Sequence, residues 1–259
     1  MNNETIIFDP EYERLDEINE NLKIIQRKKG LTFGTDAYLL SVFAKESRFG
    51  SAADFGCGTG VISLLTAQRN KFAKVYAFEV QAEFADLAER NAVLNGLDGK
   101  VTVINKDVRD IYQSDTNGEI DVVMMNPPYM KNNSGKTNDY EEKNIARREV
   151  MGTIYDFCAA AGRILKSGGA LYVVHRPERL IDLTDAMRKA GIEPKKVVFI
   201  HPDSSSEPSL ILVEGKKGAS SSLIVTRPLV IYKDATREYT DDMNRIYEEY
   251  SMKHITERK

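Results

Sequence analysis

The stretch that most limits what this chain can fold into is residues 52–69. A short apolar strand at residues 52–55 runs into Asp54-Phe55-Gly56-Cys57-Gly58-Thr59-Gly60, and an apolar helix over residues 61–69 follows at once. Glycines crowded between a strand and a helix let the backbone turn sharply and approach a ligand without side-chain obstruction. The rest of the chain keeps the same alternation. Strands are predicted at residues 75–78, 101–104, 120–125, 170–174, 197–200 and 210–213, and helices at 36–46, 82–95, 154–165 and 180–190. Thr35 is placed to cap the first of these helices. Alternation of this kind implies parallel strands with helices on both faces, and the unbroken apolar run at residues 122–125 suits a strand buried on both sides. The fold class is α/β, an open, doubly wound, mostly parallel sheet.

Residues 1–35 read as a lead-in packed on that core, 36–235 as the α/β domain, and 236–259 as a charged tail in a solvated helix. Residues 114–119 and 130–144 stand out as mobile polar loops, and loops as long as the second are usually functional or disordered. A formal net charge of −3 does not suit a protein that holds nucleic acid by bulk charge, although a local basic patch is compatible with it. Cys57 and Cys158 are too few for a disulfide scaffold, and with only His175, His201 and His254 beside them no metal site is expected. The first residues show no basic-then-apolar leader, and no apolar run reaches the ~18 residues of a membrane helix. The expected location is the cytoplasm, with no membrane partner. No pattern in the sequence speaks to the oligomeric state.

Glu79 ends the strand after the glycine turn, where a carboxylate can accept hydrogen bonds from both ribose hydroxyls of an adenosine cofactor. Asp107, after the third strand, is placed to meet the adenine amino group along the same crevice. A dinucleotide fingerprint counted from Gly56 meets Gly58 and then Val61, where a small residue is required, which disfavours a nicotinamide cofactor. The form Asp54-x-Gly56-x-Gly58-x-Gly60 resembles instead the first motif of class I methyltransferases. The resemblance implies that this loop and its acidic partners hold S-adenosylmethionine, and that the last strand of the sheet is antiparallel.

Asn126-Pro127-Pro128-Tyr129 follows the fourth strand and therefore faces the same crevice. An amino nitrogen conjugated to a ring or carbonyl is a poor nucleophile. The Asn126 side-chain oxygen and the Pro127 carbonyl can each accept one of its N–H groups, which fixes the nitrogen with its lone pair aimed at an incoming methyl. The prolines stiffen the backbone and preserve that alignment. Tyr129 offers a face on which an extruded base can stack, worth about 1–3 kcal/mol. The motif resembles that of the amino-methyltransferases of DNA, RNA and protein glutamine.

Gly30-Leu31-Thr32-Phe33-Gly34-Thr35-Asp36-Ala37-Tyr38-Leu39-Leu40 resembles the opening phrase of the bacterial tRNA1(Val) adenine-37 N6-methyltransferase family. The likeness continues through His175-Arg176-Pro177-Glu178-Arg179-Leu180 and Pro208-Ser209-x-x-Leu212-Val213-Glu214-Gly215, and spans roughly residues 12–235. It implies methylation of adenine N6 in a tRNA, with Thr35 and Asp36 closing over the methionine end of the cofactor. Basic residues at Lys131, Lys136, Lys143, Arg147 and Arg148, and at Lys23, Arg27, Lys28 and Lys29, are either phosphate partners or solvated surface. Three rivals remain open at this stage: a glutamine N5-methyltransferase, an rRNA guanine N2-methyltransferase, and a non-catalytic RNA-binding protein that keeps the fold as scaffold.

Overall fold

The structure, a computed structural model, describes residues 8–28, 34–127, 152–234 and 237–257. The mixed apolar and charged residues of the lead-in form an antiparallel hairpin of β1 (Glu13–Asn19) and β2 (Leu22–Arg27). Leu22, Ile24 and Ile25 of β2 are buried. Helix α1 (Thr35–Phe43) starts one residue earlier than the spacing predicts. Gly34, not Thr35, is its N-cap, and no side chain caps it, so the capping role expected of Thr35 is not realised.

The sheet is built from β3 (Ser47–Phe55), β4 (Phe72–Glu79), β5 (Val101–Asn105), β6 (Ile120–Met125), β7 (Leu165–His175), β8 (Ile192–His201) and β9 (Leu210–Lys217). Short strands β10 (Ile224–Val225) and β11 (Leu229–Val230) add to the edge beside β8. The order is β10-β8-β9-β7-β6-β3-β4-β5, with β11 also on β8. The five strands β3 to β7 pair parallel, and β9 lies antiparallel between β7 and β8. Helices α2 (Val61–Gln68), α3 (Ala82–Leu94), α4 (Ile154–Ile164) and α5 (Leu180–Lys189) connect the strands.

Period-two alternation splits β6 between two apolar clusters, one on each face of the sheet. Val122 and Met124 join the cluster that holds α1 and α2, while Val123 and Met125 join the one that holds α4 and α5. Burial on both faces accounts for the unbroken apolar run in this strand. Residues 114–119 overlap a hydrogen-bonded 3₁₀ turn that their polarity does not signal. This turn, over Gln113–Thr116, buries Thr116, and Asp115 accepts from Tyr112 N at 2.9 Å and pairs with Lys106 at 2.7 Å. Residues 130–144 lie outside the described residues.

The C-terminal end of α1 is held by the lysine that precedes β4. The buried Lys71 donates to the carbonyls of Ser41, Val42 and Ala44 at 2.7, 2.9 and 2.5 Å. An ammonium there satisfies carbonyls that the helix leaves open and complements its dipole.

The charged end of the chain also packs on α1 rather than standing in solvent. Helix α6 (Asp241–Glu249) is capped by Thr240 and buries Met243 and Ile246, and α7 (Lys253–Thr256) buries Ile255. Tyr247 stacks on Tyr38 with ring centroids 4.7 Å apart, and the Tyr250 hydroxyl donates to Ser41 Oγ at 2.7 Å. The apolar stripe is one residue per turn wide, which composition alone hides. Ile246→Ala is expected to cost about 2–4 kcal/mol by leaving a cavity in this cluster. A urea midpoint lowered at constant m-value checks it, and an unchanged midpoint counts against the packing role of α6.

Candidate active site

Strand order reverses at β3: β4 and β5 lie on one side of it, and β6 and β7 on the other. In open α/β sheets the crevice at such a reversal, outside the carboxyl ends of the strands, is where ligands bind. Register brings the candidate groups level there. Phe55 pairs with Met125 on β6 and with Phe78 on β4, so Gly56, Asn126 and Glu79 leave three adjacent strands at one height.

The turn after β3 carries Gly56, Gly58 and Gly60 at φ values of 68°, 56° and 85°. These lie in the left-handed region, which side chains other than glycine rarely adopt. A Cβ on Gly58 would meet no protein atom within 4 Å, whereas one on Gly60 would lie 3.2 Å from Ala88 Cβ on α3. Gly60 thus serves close helix packing, and Gly58 borders open space. Asn91, a buried polar residue in α3, donates to Thr59 O and to Ile25 O, both at 3.0 Å, and accepts from Ile25 N at 2.7 Å. It joins the glycine turn to the N-terminal hairpin. Sequence reading missed it, and the signal was an asparagine inside the apolar stripe of the helix.

Asp54 is fully buried, and its Oδ2 accepts from Ser63 N at 3.1 Å and Ser63 Oγ at 2.8 Å, which ties β3 to the first turn of α2. Its Oδ1 has no hydrogen-bond partner among the described residues. Burial pushes this carboxyl up to about 7, with the Ser63 bonds opposing the shift and the charge of Glu79 adding to it. Glu79 is nearly as buried. Its carboxylate accepts from Gly58 N at 3.0 Å and from Gln81 N at 2.9 Å, so it shapes the glycine turn as well as facing the crevice.

Asp107 follows β5, where the sequence places it, but its carboxylate is engaged by its own neighbour. It accepts from Arg109 N at 2.8 Å, Nε at 2.9 Å and Nη2 at 2.5 Å. The Arg109 guanidinium holds the Asp107 carboxyl below its ordinary range.

Asp36 lies in the first turn of α1 and meets Asn126, whose Nδ2 donates to Asp36 Oδ2 at 3.0 Å. Asn126 is half-buried and Pro127 buried. Pro128 and Tyr129 lie outside the described residues, as do Lys29, Lys131, Lys136, Lys143, Arg147 and Arg148. The described members of the earlier basic group serve the protein itself. Lys23 pairs with Glu17 at 2.9 Å, Arg27 pairs with Glu83, and Lys28 Nζ donates to Pro10 O at 2.6 Å. At the end of β7, burial holds His175 down at about 4, so it is neutral at physiological pH. Arg179 pairs with Asp182 at 3.1 Å and Arg176 donates to Ser209 O at 3.1 Å. Among the described residues no group of three or more potential metal ligands is gathered, and no helix is long and apolar enough to cross a membrane.

A doubly wound sheet with an antiparallel strand inserted beside β7, a glycine turn after β3 and a carboxylate after β4 defines the class I methyltransferase fold. Residues 26–190 match the methyltransferase small domain, and the chain belongs to that family. It is similar to the protein of Parabacteroides distasonis named tRNA1(Val) (adenine(37)-N6)-methyltransferase, at 27% identity over 187 residues, covering 72% of this chain and 77% of the relative. A protein of the same name from Porphyromonas gingivalis is 26% identical over 225 residues, covering 84% and 87%. Among solved structures, a predicted O-methyltransferase from Agrobacterium tumefaciens superposes with a TM-score of 0.67 at 22% identity, over 83% of this chain and 97% of that one.

Proposed function

We propose that this protein transfers a methyl group from S-adenosylmethionine to the exocyclic N6 of an adenine in tRNA, with position 37 of a valine tRNA, for which its relatives are named, as the target. The observation that carries the reading is the register of β3 and β6, which sets Asn126 and Pro127 level with the glycine turn across the strand reversal. The Asn126 side-chain oxygen and the Pro127 carbonyl each accept one N–H of the adenine amino group. Held by both, the nitrogen pyramidalises and keeps its lone pair on one line of approach. Tyr129 supplies a stacking face for the extruded base.

The polar groups of the crevice suit this cofactor. Glu79 uses one lone pair of each oxygen on the glycine turn and Gln81, which leaves others for the ribose hydroxyls. Asp54 offers a buried oxygen with no partner among the described residues, suited to an ammonium. Thr35 borders the methionine end, and Asp107 the adenine. When bound, S-adenosylmethionine supplies a methyl group already activated on a sulfonium. Residues 36–235 form the catalytic unit, with the hairpin and the C-terminal helices packed on it, and a tRNA substrate places the reaction in the cytoplasm.

Gly58→Ala is expected to weaken S-adenosylhomocysteine binding at least tenfold for a stability cost of about 1–2 kcal/mol, the price of a left-handed alanine. Titration calorimetry beside thermal unfolding checks it, and unchanged affinity places the ligand elsewhere.

The reading is tested with methyl-labelled S-adenosylmethionine, tRNA from cells lacking the enzyme, and nucleoside analysis of the product. N6-methyladenosine is expected. N5-methylglutamine in a release factor or N2-methylguanosine in rRNA would replace the substrate, and failure to bind the cofactor would favour a non-catalytic RNA-binding role.

A further inference from the structure

Asp36, in the first turn of α1, accepts from the side-chain amide of Asn126, the residue that follows β6. Asn126 has a donor end and an acceptor end on one planar group, and catalysis needs the acceptor end toward the substrate. Nitrogen and oxygen of such an amide are told apart by their partners. Here the partner is decisive, because an ionised carboxylate only accepts. Asp36 Oδ2 at 3.0 Å therefore faces the Asn126 nitrogen, and Oδ1 of Asn126 is turned away from Asp36.

Asp36 is itself held in place. Its other oxygen, Oδ1, accepts from Ala37 N at 2.9 Å, within the first turn of a helix whose body, from Ala37 to Phe43, is buried. A second, independent feature marks the same carboxylate. Gly34 has φ −123° and ψ 170°, an extended conformation open to any residue. Its backbone does not require glycine. A Cβ at Gly34, however, would lie 2.6 Å from Asp36 Oδ1. The glycine makes room for the Asp36 carboxylate.

We infer that Asp36 is a positioning residue rather than a cofactor ligand: by accepting from Asn126 Nδ2 it fixes the amide so that Oδ1 receives the N–H of the substrate amino group. A negative charge against the N–H end also draws electron density toward Oδ1, which makes it a better acceptor as positive charge develops on the attacking nitrogen. The inference rests on the proposed function, and it places Asp36 upstream of Asn126 in a single device.

Two measurements test it. The first is steady-state methylation of tRNA by the wild type, Asp36→Ala, Gly34→Ala, Asn126→Ala and the Asp36→Ala/Asn126→Ala double variant, with S-adenosylhomocysteine affinity taken alongside. Asp36→Ala and Gly34→Ala are expected to lower kcat about 10- to 100-fold, the scale of a misaligned reacting group, with KM for tRNA and cofactor affinity within about twofold of the wild type. The double variant is expected to be no slower than Asn126→Ala, because Asp36 acts only through Asn126. Cofactor affinity that falls with Asp36→Ala, or a double variant slower than Asn126→Ala, overturns the positioning role. The second measurement needs no activity. The side-chain NH2 signals of Asn126 in a ¹H–¹⁵N spectrum, identified by their loss in Asn126→Ala, are expected to move in Asp36→Ala. Signals that stay put defeat the contact. A wild type that yields no N6-methyladenosine defeats the reading of function, and the spectrum still decides the contact.

Discussion

Asn126→Ala is expected to lower kcat for tRNA methylation on the order of 10²–10³-fold, while S-adenosylhomocysteine affinity stays within about twofold and the protein stays folded. The magnitude follows from what the side chain supplies. Its oxygen is one of two acceptors that hold a delocalised amino group in its reactive shape, and water entering in its place has no fixed direction. The separation from cofactor binding follows from where the groups lie. Glu79 and the glycine turn hold each other through the Gly58 bond, and Asp54 is anchored on Ser63, so none of these contacts passes through Asn126. Single-turnover rates beside equilibrium binding check the split. A variant that loses cofactor affinity in step with kcat would move Asn126 from the reacting nitrogen to the cofactor.

Sequence and structure agree where the information is local. The predicted strand at 120–125 coincides with β6 (Ile120–Met125), because a strand buried on both faces writes itself as an unbroken apolar run. The predicted helix at 82–95 differs from α3 (Ala82–Leu94) by one residue, since its apolar spacing is set by the helix itself. The glycine turn and Glu79 are likewise readable from strand–turn–helix order. What sequence reading missed is carried by contacts between distant segments. Asn126 and Asp36 are 90 residues apart, and nothing in either segment alone says that one carboxylate faces the other amide. Nor does the sequence show that the Glu79 carboxylate accepts from Gly58 N of the glycine turn and from Gln81 N after β4, bonds that satisfy a buried carboxylate before any ligand arrives. The C-terminal helix was hidden by its charge. Two buried residues, Met243 and Ile246, suffice to dock it when α1 offers Tyr38 and Ser41 to receive its tyrosines.

Asp54→Asn is expected to make the protein more stable than the wild type above pH 7, and the advantage shrinks as the pH falls toward 4. Burial holds the Asp54 carboxyl up at about 7, against 3.8 ordinarily. Between those values the folded protein keeps a proton that the unfolded chain has released. The stability present below pH 4 is therefore lost as pH rises through 7, at about 1.4 kcal/mol per pH unit or roughly 4 kcal/mol in all. Asparagine removes the titration while retaining an oxygen that accepts from Ser63. His175, held down at about 4 by burial, gives a slope of opposite sign between pH 4 and 6.5, and Lys71, lowered to about 7, gives one above pH 7. Both remain in the variant, so the difference between the two stability curves isolates Asp54. Urea unfolding from pH 4 to 8 measures it, and parallel curves would mean that the buried carboxyl is charged and satisfied throughout. The same titration reaches the cofactor. An ammonium bound beside Asp54 Oδ1 favours the carboxylate, so binding S-adenosylhomocysteine near pH 6 should release a proton from the wild type and none from Asp54→Asn. Calorimetry in buffers of different ionisation heat separates the two cases, and equal proton release from both proteins would leave Asp54 as an anchor of β3 on α2 with no part in binding.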